Sequence, residues 1–340
     1  MERYSRQIAF PGIGSEGQEK LLHAKAAILG LGALGSVIAE ELARAGVGSL
    51  RLIDRDYVER SNLARQALYT EKDADEQLPK AIAAAKHISE INSEIVTEPI
   101  IADINASNIE SFVMDADVAL DGSDNFELRA LLNEACVKHG IPWVYGGALA
   151  AAGAIMPIIP GQGPCFRCLT PNVPAPGTYP TCATAGILNM TSHTVASIEA
   201  VQAIRILVGK VSNDDAAANY LSLDLWNDFY TAIPIERNPD CPVCGKGIYE
   251  FLEKGADDDA LLPLCADGSF QITPPPRGAI DLDAFAGRLS AIGHVIHNPY
   301  LLRFDGEGVS FNLFSDGRAV VRDARDAADA RRIYAEYIGL

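Results

Sequence analysis

The stretch 28-ILGLGALGSVIAEELARAGVGSLRLIDRD-56 decides the fold. An apolar run from Ala26 leads into the turn Gly30-Leu31-Gly32-Ala33-Leu34-Gly35, a helical run reaches Gly46, and a second apolar run ends on Asp54. Strand, glycine turn, helix, strand and acid in that order spell a mononucleotide-binding βαβ unit. The glycines at 30, 32 and 35 let backbone approach a phosphate, and the N-terminus of the following helix favours its negative charge. Asp54 stands about 20 residues past the turn, where a carboxylate can accept hydrogen bonds from ribose hydroxyls. Alone it would be no more than a strand-end acid. A dehydrogenase and a nucleotide-using activating enzyme both begin this way, so the choice rests on the residues after Asp54.

Beyond Asp54, polar residues 55–75 read as a long functional loop, followed by a helix through Leu78, Ile82, Ala85 and Ile88. Residues 95–101, 117–120 and 141–145 read as further buried strands, with a helix over 125–139 between the last two. This alternation predicts an α/β fold: a doubly wound, mostly parallel, Rossmann-like sheet. Residues 171–181 (PNVPAPGTYPT) exclude regular helix or central strand and read as an exposed, mobile crossing loop. A helix over 192–208 and a strand over 220–226 come next. The charged run 250–259 marks the boundary between a main domain, residues 1–250, and a small α+β extension, residues 260–340. The extension offers strands at 270–273, YLLRF, VSFNLF and RAVV, a helix near 282–292, a turn at Asp316-Gly317, and a final amphipathic helix with Ala328, Ile333 and Tyr337. Nothing in it looks catalytic.

The chain has 340 residues, 48% hydrophobic and 21% charged, with a formal net charge of -17. That charge argues against broad nucleic-acid binding, which needs a surplus of Lys and Arg on one face. An anionic ligand must then be met by a few placed cations. The N-terminal MERYSRQIAF has no apolar core of a signal peptide, and no stretch reaches the roughly 20 apolar residues of a spanning helix, which predicts a cytoplasmic protein away from membranes.

Such placed cations come directly after Asp54. Residues 55–66 (RDYVERSNLARQ) bring Asn62 and Arg65 just past the nucleotide pocket, and Lys80 opens the next helix. A dinucleotide needs few such charges, whereas a triphosphate losing pyrophosphate is stabilised by an Arg-Lys clamp and a metal ion. Any one of these residues alone would be a solvated surface charge; their joint placement favours the triphosphate. Seven cysteines include two C-x-x-C pairs, Cys165/Cys168 and Cys241/Cys244. Four thiolates suit tetrahedral zinc with no open position, hence a structural site. A thioredoxin-like redox pair would leave the second pair unexplained. Cys182, in TCATAG, lies after the proline-rich loop and before a helix whose dipole would lower its pKa; its bland alternative is an inert small residue. Cys136 reads as core, Cys265 belongs to the tail, and His193 packs or caps.

Taken together, RYSRQ at 3–7, GLGALG, DRDYVERSNLARQ, LPKA around Lys80 and LDGSDN at 120–125 resemble the ThiF/MoeB/HesA family of ubiquitin-activating-enzyme-like adenylyltransferases. The tail, with NPYLLRF and LFSDGRAVV, resembles the extension of ThiF proteins from Gram-positive bacteria. The resemblance implies that a small ubiquitin-like sulfur-carrier protein places its C-terminal Gly-Gly carboxylate beside ATP and leaves as an acyl-adenylate. It implies Gly30, Gly32 and Gly35 at the phosphates, Asp54 at the ribose, and Asn62, Arg65 and Lys80 at the triphosphate. Asp124 would hold Mg2+, and Arg6 would reach in from the other subunit of a homodimer. Cys182 would take part in sulfur transfer, with a cysteine desulfurase or rhodanese-type protein as donor, although GILNMTSHTVAS after it departs from the Gly-Pro-rich stretch of many relatives. The expected carrier is ThiS-like, for thiamine thiazole synthesis; a MoaD-like carrier of molybdenum cofactor synthesis or a peptide substrate is the alternative. Competing readings of other classes are an NAD-dependent oxidoreductase and a non-catalytic zinc-bearing scaffold. The extension is expected to dock a partner.

Overall fold

The computed structural model describes residues 2–175, 178–211, 220–254, 261–263, 269–274 and 279–339. Cys265, most of the boundary run at 255–259 and residues 176–177 of the proline-rich segment lie outside the described residues. The chain divides into two compact units, Met1–Ala74 with Lys80–Lys254, and Asp75–Pro79 with Gly255–Leu340.

In the first unit β1 (Lys25–Leu29), β2 (Ser49–Asp54), β3 (Val96–Ile101), β4 (Val118–Asp121), β5 (Trp143–Leu149), β6 (Ala152–Ile158), β7 (Tyr220–Asp224) and β8 (Phe229–Ile233) form one sheet in the order β3-β2-β1-β4-β5-β6-β7-β8. The pairs from β3 to β5 are parallel and those from β5 to β8 antiparallel. The expected mostly parallel sheet is therefore present, extended by an antiparallel edge. Strand order reverses between β1 and β4, and a crevice at the carboxyl ends of two such strands is where open α/β sheets bind ligands.

The helix Gly35–Ala45 begins at the glycine turn and closes on Gly46 at φ 80°, a left-handed position that favours glycine. The helix Phe126–His139 is capped by Asn125, whose side chain accepts the Leu128 N–H at 2.7 Å. Asn189–Leu207 packs across β4, β5 and β6. Among the described residues no helix is long and apolar enough to cross a membrane.

Some elements differ from expectation. The helix expected through Leu78 starts at Lys80, because Pro79 forces the residue before it out of helical geometry. Residues 55–75 carry a short 3-10 turn at Arg60–Asn62 and a helix at Glu71–Asp75. The strand expected to be buried at 95–101 is β3, an outer edge strand on which Val96 is 64% exposed. Strand β8 escapes the sequence pattern, since Phe229 and Tyr230 face solvent and break the alternation that marks a half-buried strand. The proline-rich segment is held by Tyr179, whose ring packs edge-on against Phe126 at 4.8 Å.

The second unit is an antiparallel sheet of β9 (Leu261–Pro263), β10 (Phe270–Ile272), β11 (His294–His297), β12 (Leu301–Gly306), β13 (Val309–Phe314) and β14 (Ala319–Arg322), in the order β11-β12-β13-β14-β10-β9. Its core joins Leu302, Phe304, Phe311 and Leu313 to the helices Leu282–Leu289 and Ala327–Tyr337 through Leu289 and Ile333. Asn298 Nδ2 donates to the carbonyls of Glu76 and Gln77 at 3.0 and 3.2 Å, which ties residues 75–79 to this unit. Strand β11 is likewise invisible to the sequence pattern.

Candidate active site

The three glycines of the turn do different work. A Cβ on Gly35 would fall on the Gly30 carbonyl oxygen, and one on Gly30, at φ 92°, would stand 2.7 Å from the Gly122 carbonyl oxygen. Gly30, with Gly122 opposite, lets the turn after β1 press against the turn after β4, and Gly35 lets the helix start close onto the Gly30 carbonyl. Gly32 has room: its nearest neighbours would be Gln66 Nε2 and the Gly122 carbonyl oxygen, both at 3.9 Å. The N–H groups of Gly32, Ala33 and Leu34, in the turn leading into the helix Gly35–Ala45, find no acceptor among the described residues. Gln66, 3% exposed, lies beside this opening and its Oε1 has no partner among the described residues. Free amides leading into a helix N-terminus fit a phosphate-bearing ligand at Gly32.

Asp54 ends β2 and is 7% exposed; it accepts the Leu31 N–H at 2.6 Å and the Asp56 N–H at 2.7 Å. Burial pushes its carboxyl up, opposed by the positive charge of Lys80. Lys80 is likewise buried, and its Nζ donates to Asp56 Oδ2 at 3.3 Å. Burial disfavours the ammonium, but Asp56, Asp54 and Asp124 outweigh it and hold Lys80 charged. Asn62 is buried with its Oδ1 accepting the Glu59 N–H at 3.0 Å, so this oxygen shapes the loop. Arg65 is half-buried and donates to the Ser61 carbonyl at 2.9 Å.

Asp124 is exposed on the turn after β4, and its charge reaches Lys80, Arg129 and Cys182. That turn is braced from below by Asp121, fully buried, which accepts the Ser123 N–H at 2.9 Å and Arg129 Nε at 2.8 Å. Arg129 Nη2 adds bonds to the Ser123 and Gly146 carbonyls, each 3.0 Å. Behind it, Glu199 is fully buried with neither oxygen partnered among the described residues, and burial pushes its carboxyl well above the usual range. Sequence reasoning misses Gln66, Arg129 and Glu199, because each sits in a polar or helical pattern that reads as surface.

One expectation is corrected. Cys182 opens only a four-residue helix, Cys182–Ala185, with its Sγ 3.8 Å from the Ala148 carbonyl oxygen. Burial pushes the thiol up, Asp124 adds to this, and Arg65 and Arg129 offset only part, so the expected lowering of its pKa is not found. Arg6, in the helix Ser5–Ile8, is exposed and is not brought to its own chain's glycine turn. Its neighbour Gln7 binds the Ala45 carbonyl at 2.8 Å, at the far end of the Gly35–Ala45 helix. That helix spans about 16 Å.

The four cysteines converge. Cys165 Sγ lies 3.6 Å from Cys241 Sγ and Cys168 Sγ 3.4 Å from Cys244 Sγ, and all four sulfurs lie within 4.8 Å of one another. Tetrahedral zinc, with Zn–S bonds of about 2.3 Å, sets sulfurs about 3.8 Å apart. The Asn238 N–H points at Cys168 Sγ from 3.5 Å, as an outer hydrogen bond to a ligand sulfur does. The cluster can hold zinc, and its chemistry there would be structural. Because Phe166 beside it packs on Trp143 and Tyr145, chelation or Cys165→Ser should lower the melting temperature by about 10 °C or more. A chain that contains no metal by mass spectrometry and melts unchanged after chelation would remove the site.

Fold and site together define a nucleotide-binding α/β enzyme whose glycine turn faces an Asp, a Lys and a second acidic turn. The profile of the ThiF family matches residues 4–243, and the chain belongs to this family. It is 39% identical over 340 residues, 99% of both chains, to the sulfur carrier protein ThiS adenylyltransferase of Bacillus subtilis. It is 40% identical over 253 residues, 74% of this chain and 92% of the relative, to the SAMP-activating enzyme E1 of Haloferax volcanii. Among solved structures E. coli MccB matches with a TM-score of 0.63 at 25% identity over 73% of each chain. The chain is an adenylyltransferase, and the oxidoreductase alternative falls.

Proposed function

We propose that this enzyme uses ATP to adenylate the C-terminal glycine carboxylate of a small ubiquitin-like sulfur-carrier protein, and that the carrier is ThiS-like. The observation that carries this reading is the end-to-end similarity to the Bacillus subtilis enzyme, extension included. A carboxylate oxygen of the carrier attacks the α-phosphorus, the bond from that phosphorus to the bridging oxygen breaks, and pyrophosphate leaves with the electron pair. The free amides around Gly32 take phosphate, and Asp54 takes ribose through lone pairs not spent on Leu31 and Asp56. Lys80 and Arg65 offset phosphate charge, and Asp124 would hold Mg2+, whose charge would add to that of Lys80 and Arg65.

Two copies of the chain pair, with Arg6 of each serving the site of the other. In support, Arg6 lies far from its own turn, and Met190 and Val201 of the helix Asn189–Leu207, with Phe229 and Tyr230 of β8, are more than half exposed. Cys182 takes part in sulfur transfer to the adenylated carrier, with a desulfurase or rhodanese-type donor: its sulfur bonds to the carrier's acyl carbon as AMP leaves, and the thiol, neutral at the start, gives its proton to solvent.

ATP–pyrophosphate exchange with carriers ending in Gly-Gly, with and without the final glycine, tests the reading. Arg6→Ala and Asp124→Ala should each lower exchange about a thousandfold. Mixing the two inactive variants should restore part of it through mixed dimers that hold one intact site. No exchange with any carrier overturns the proposal; exchange only with a MoaD-like carrier or a peptide moves it to the alternative substrate. Failure of mixing to restore activity overturns the shared site.

A further inference from the structure

We infer that Tyr69 is a positioning residue that fixes the direction of the Gly32 amide, so that the glycine turn is set for phosphate before the nucleotide arrives; this rests on the nucleotide-binding reading above. Both peptide planes that meet at Leu31 are held. The Leu31 N–H donates to Asp54 Oδ2 at 2.6 Å, and the Leu31 carbonyl accepts the Tyr69 hydroxyl at 2.8 Å. In a trans peptide C=O and N–H point to opposite sides, so the Leu31 carbonyl turned toward Tyr69 turns the Gly32 N–H away from it. That N–H has no acceptor among the described residues, and the space at Gly32 is open. Without the hydroxyl, the 31–32 plane is free to rotate and present its carbonyl oxygen to the phosphates, which repel it.

Tyr69 is itself held. It is 6% exposed, and its hydroxyl lies 3.5 Å from the Lys80 carbonyl, at the start of the helix that carries the site ammonium. Burial keeps the phenol protonated, helped by the negative charges of Asp54, Asp73 and Asp56, so it acts as donor. Next to it, Asp73 Oδ2 gathers the Thr70 N–H and hydroxyl at 2.8 and 2.7 Å and His87 Nε2 at 2.7 Å. This knot clamps the stretch that carries Tyr69 onto the helix Lys80–Ile91. No other side-chain hydroxyl reaches the Leu31 carbonyl among the described residues.

Tyr69→Phe keeps the ring and removes only the bond. Titration calorimetry with MgATP should show Kd raised about tenfold, the share of one buried hydrogen bond, with the KM for the carrier unchanged in the exchange assay. Amide hydrogen exchange at Leu31, whose N–H is bonded to Asp54, should quicken in the nucleotide-free protein while β1 and β2 stay protected. In a double-mutant cycle the Tyr69→Phe effect on Kd should vanish in the Gly32→Ala background, where a methyl already blocks the amide. Unchanged ATP affinity in Tyr69→Phe, additive effects in the cycle, or exchange that quickens throughout β1 and β2 would each overturn the inference alone. Wild-type protein that binds no ATP would overturn the nucleotide-binding reading and this inference with it.

Discussion

Gly35→Ala should leave the main unit unable to reach a stable fold, while Gly32→Ala should fold normally and lose ATP. The added methyl at Gly35 meets the Gly30 carbonyl oxygen, which is backbone of the strand-to-helix turn and has no side-chain freedom with which to retreat. Relief requires parting the helix Gly35–Ala45 from β1, whose residues Ala26 to Leu29 are fully buried. Overpacking of this kind costs about 3 kcal/mol or more. At Gly32 the methyl meets nothing closer than 3.9 Å and the backbone is not left-handed, so the melting temperature should hold. The methyl occupies the space a phosphate would use, and the loss of close amide contacts to an anion should weaken ATP by about 10- to 100-fold. Urea unfolding and calorimetric titration of the two variants check this pair. Equal stability losses in both, or full ATP affinity in Gly32→Ala, would contradict the division of labour.

Lys80→Met should remove nearly all adenylation, by about a thousandfold, with a stability loss that shrinks in acid. The activity loss arises from deleting a desolvated cation beside phosphates, where charge neutralisation counts most. The stability loss comes from the carboxylates left behind. Breaking a wholly buried pair costs about 3–5 kcal/mol, but Asp56 is 53% exposed and water screens it, so about 2 kcal/mol is expected. Asp54, buried and already pushed up, loses the cation that restrained it and rises further. An acid whose folded pKa lies above its unfolded one costs stability once pH exceeds the unfolded pKa, and that cost disappears as pH falls through the folded one. Melting temperatures of variant and wild type should therefore converge between neutral pH and about pH 4. A gap that widens in acid would show that Asp54 is not the group responsible.

Much of this was legible because local chemistry and tertiary placement coincide. Gly35 is required by a contact with Gly30 inside its own turn, and two C-x-x-C pairs announce ligand geometry by spacing alone. What escaped depends on distant partners. The role of Tyr69 arises from Leu31, which no periodicity connects to it. Arg129 and Glu199 carry charges that a helical pattern assigns to solvent, yet both are buried, one by pairing with Asp121 and the other by remaining neutral. Cys182 misled for the same reason: a thiol before a helix promises a thiolate only where burial and nearby acids do not outweigh the cations around it, and its burial and the acid of Asp124 were not visible. The antiparallel edge after β5 escaped because β8 shows solvent the residues that a core strand would hide.

Contact between the backbones of Gly30 and Gly122 leaves no slack at the strand ends. In the proposed reading one seat receives the nucleotide, its neighbour carries Asp124, and neither shifts without dragging the other, since nothing softer than main chain separates them. The pair serves as a fixed jig. Any travel needed to align an incoming chain end has to occur in that guest or in segments outside these two turns, and the spacing between them stays the same from one turnover to the next.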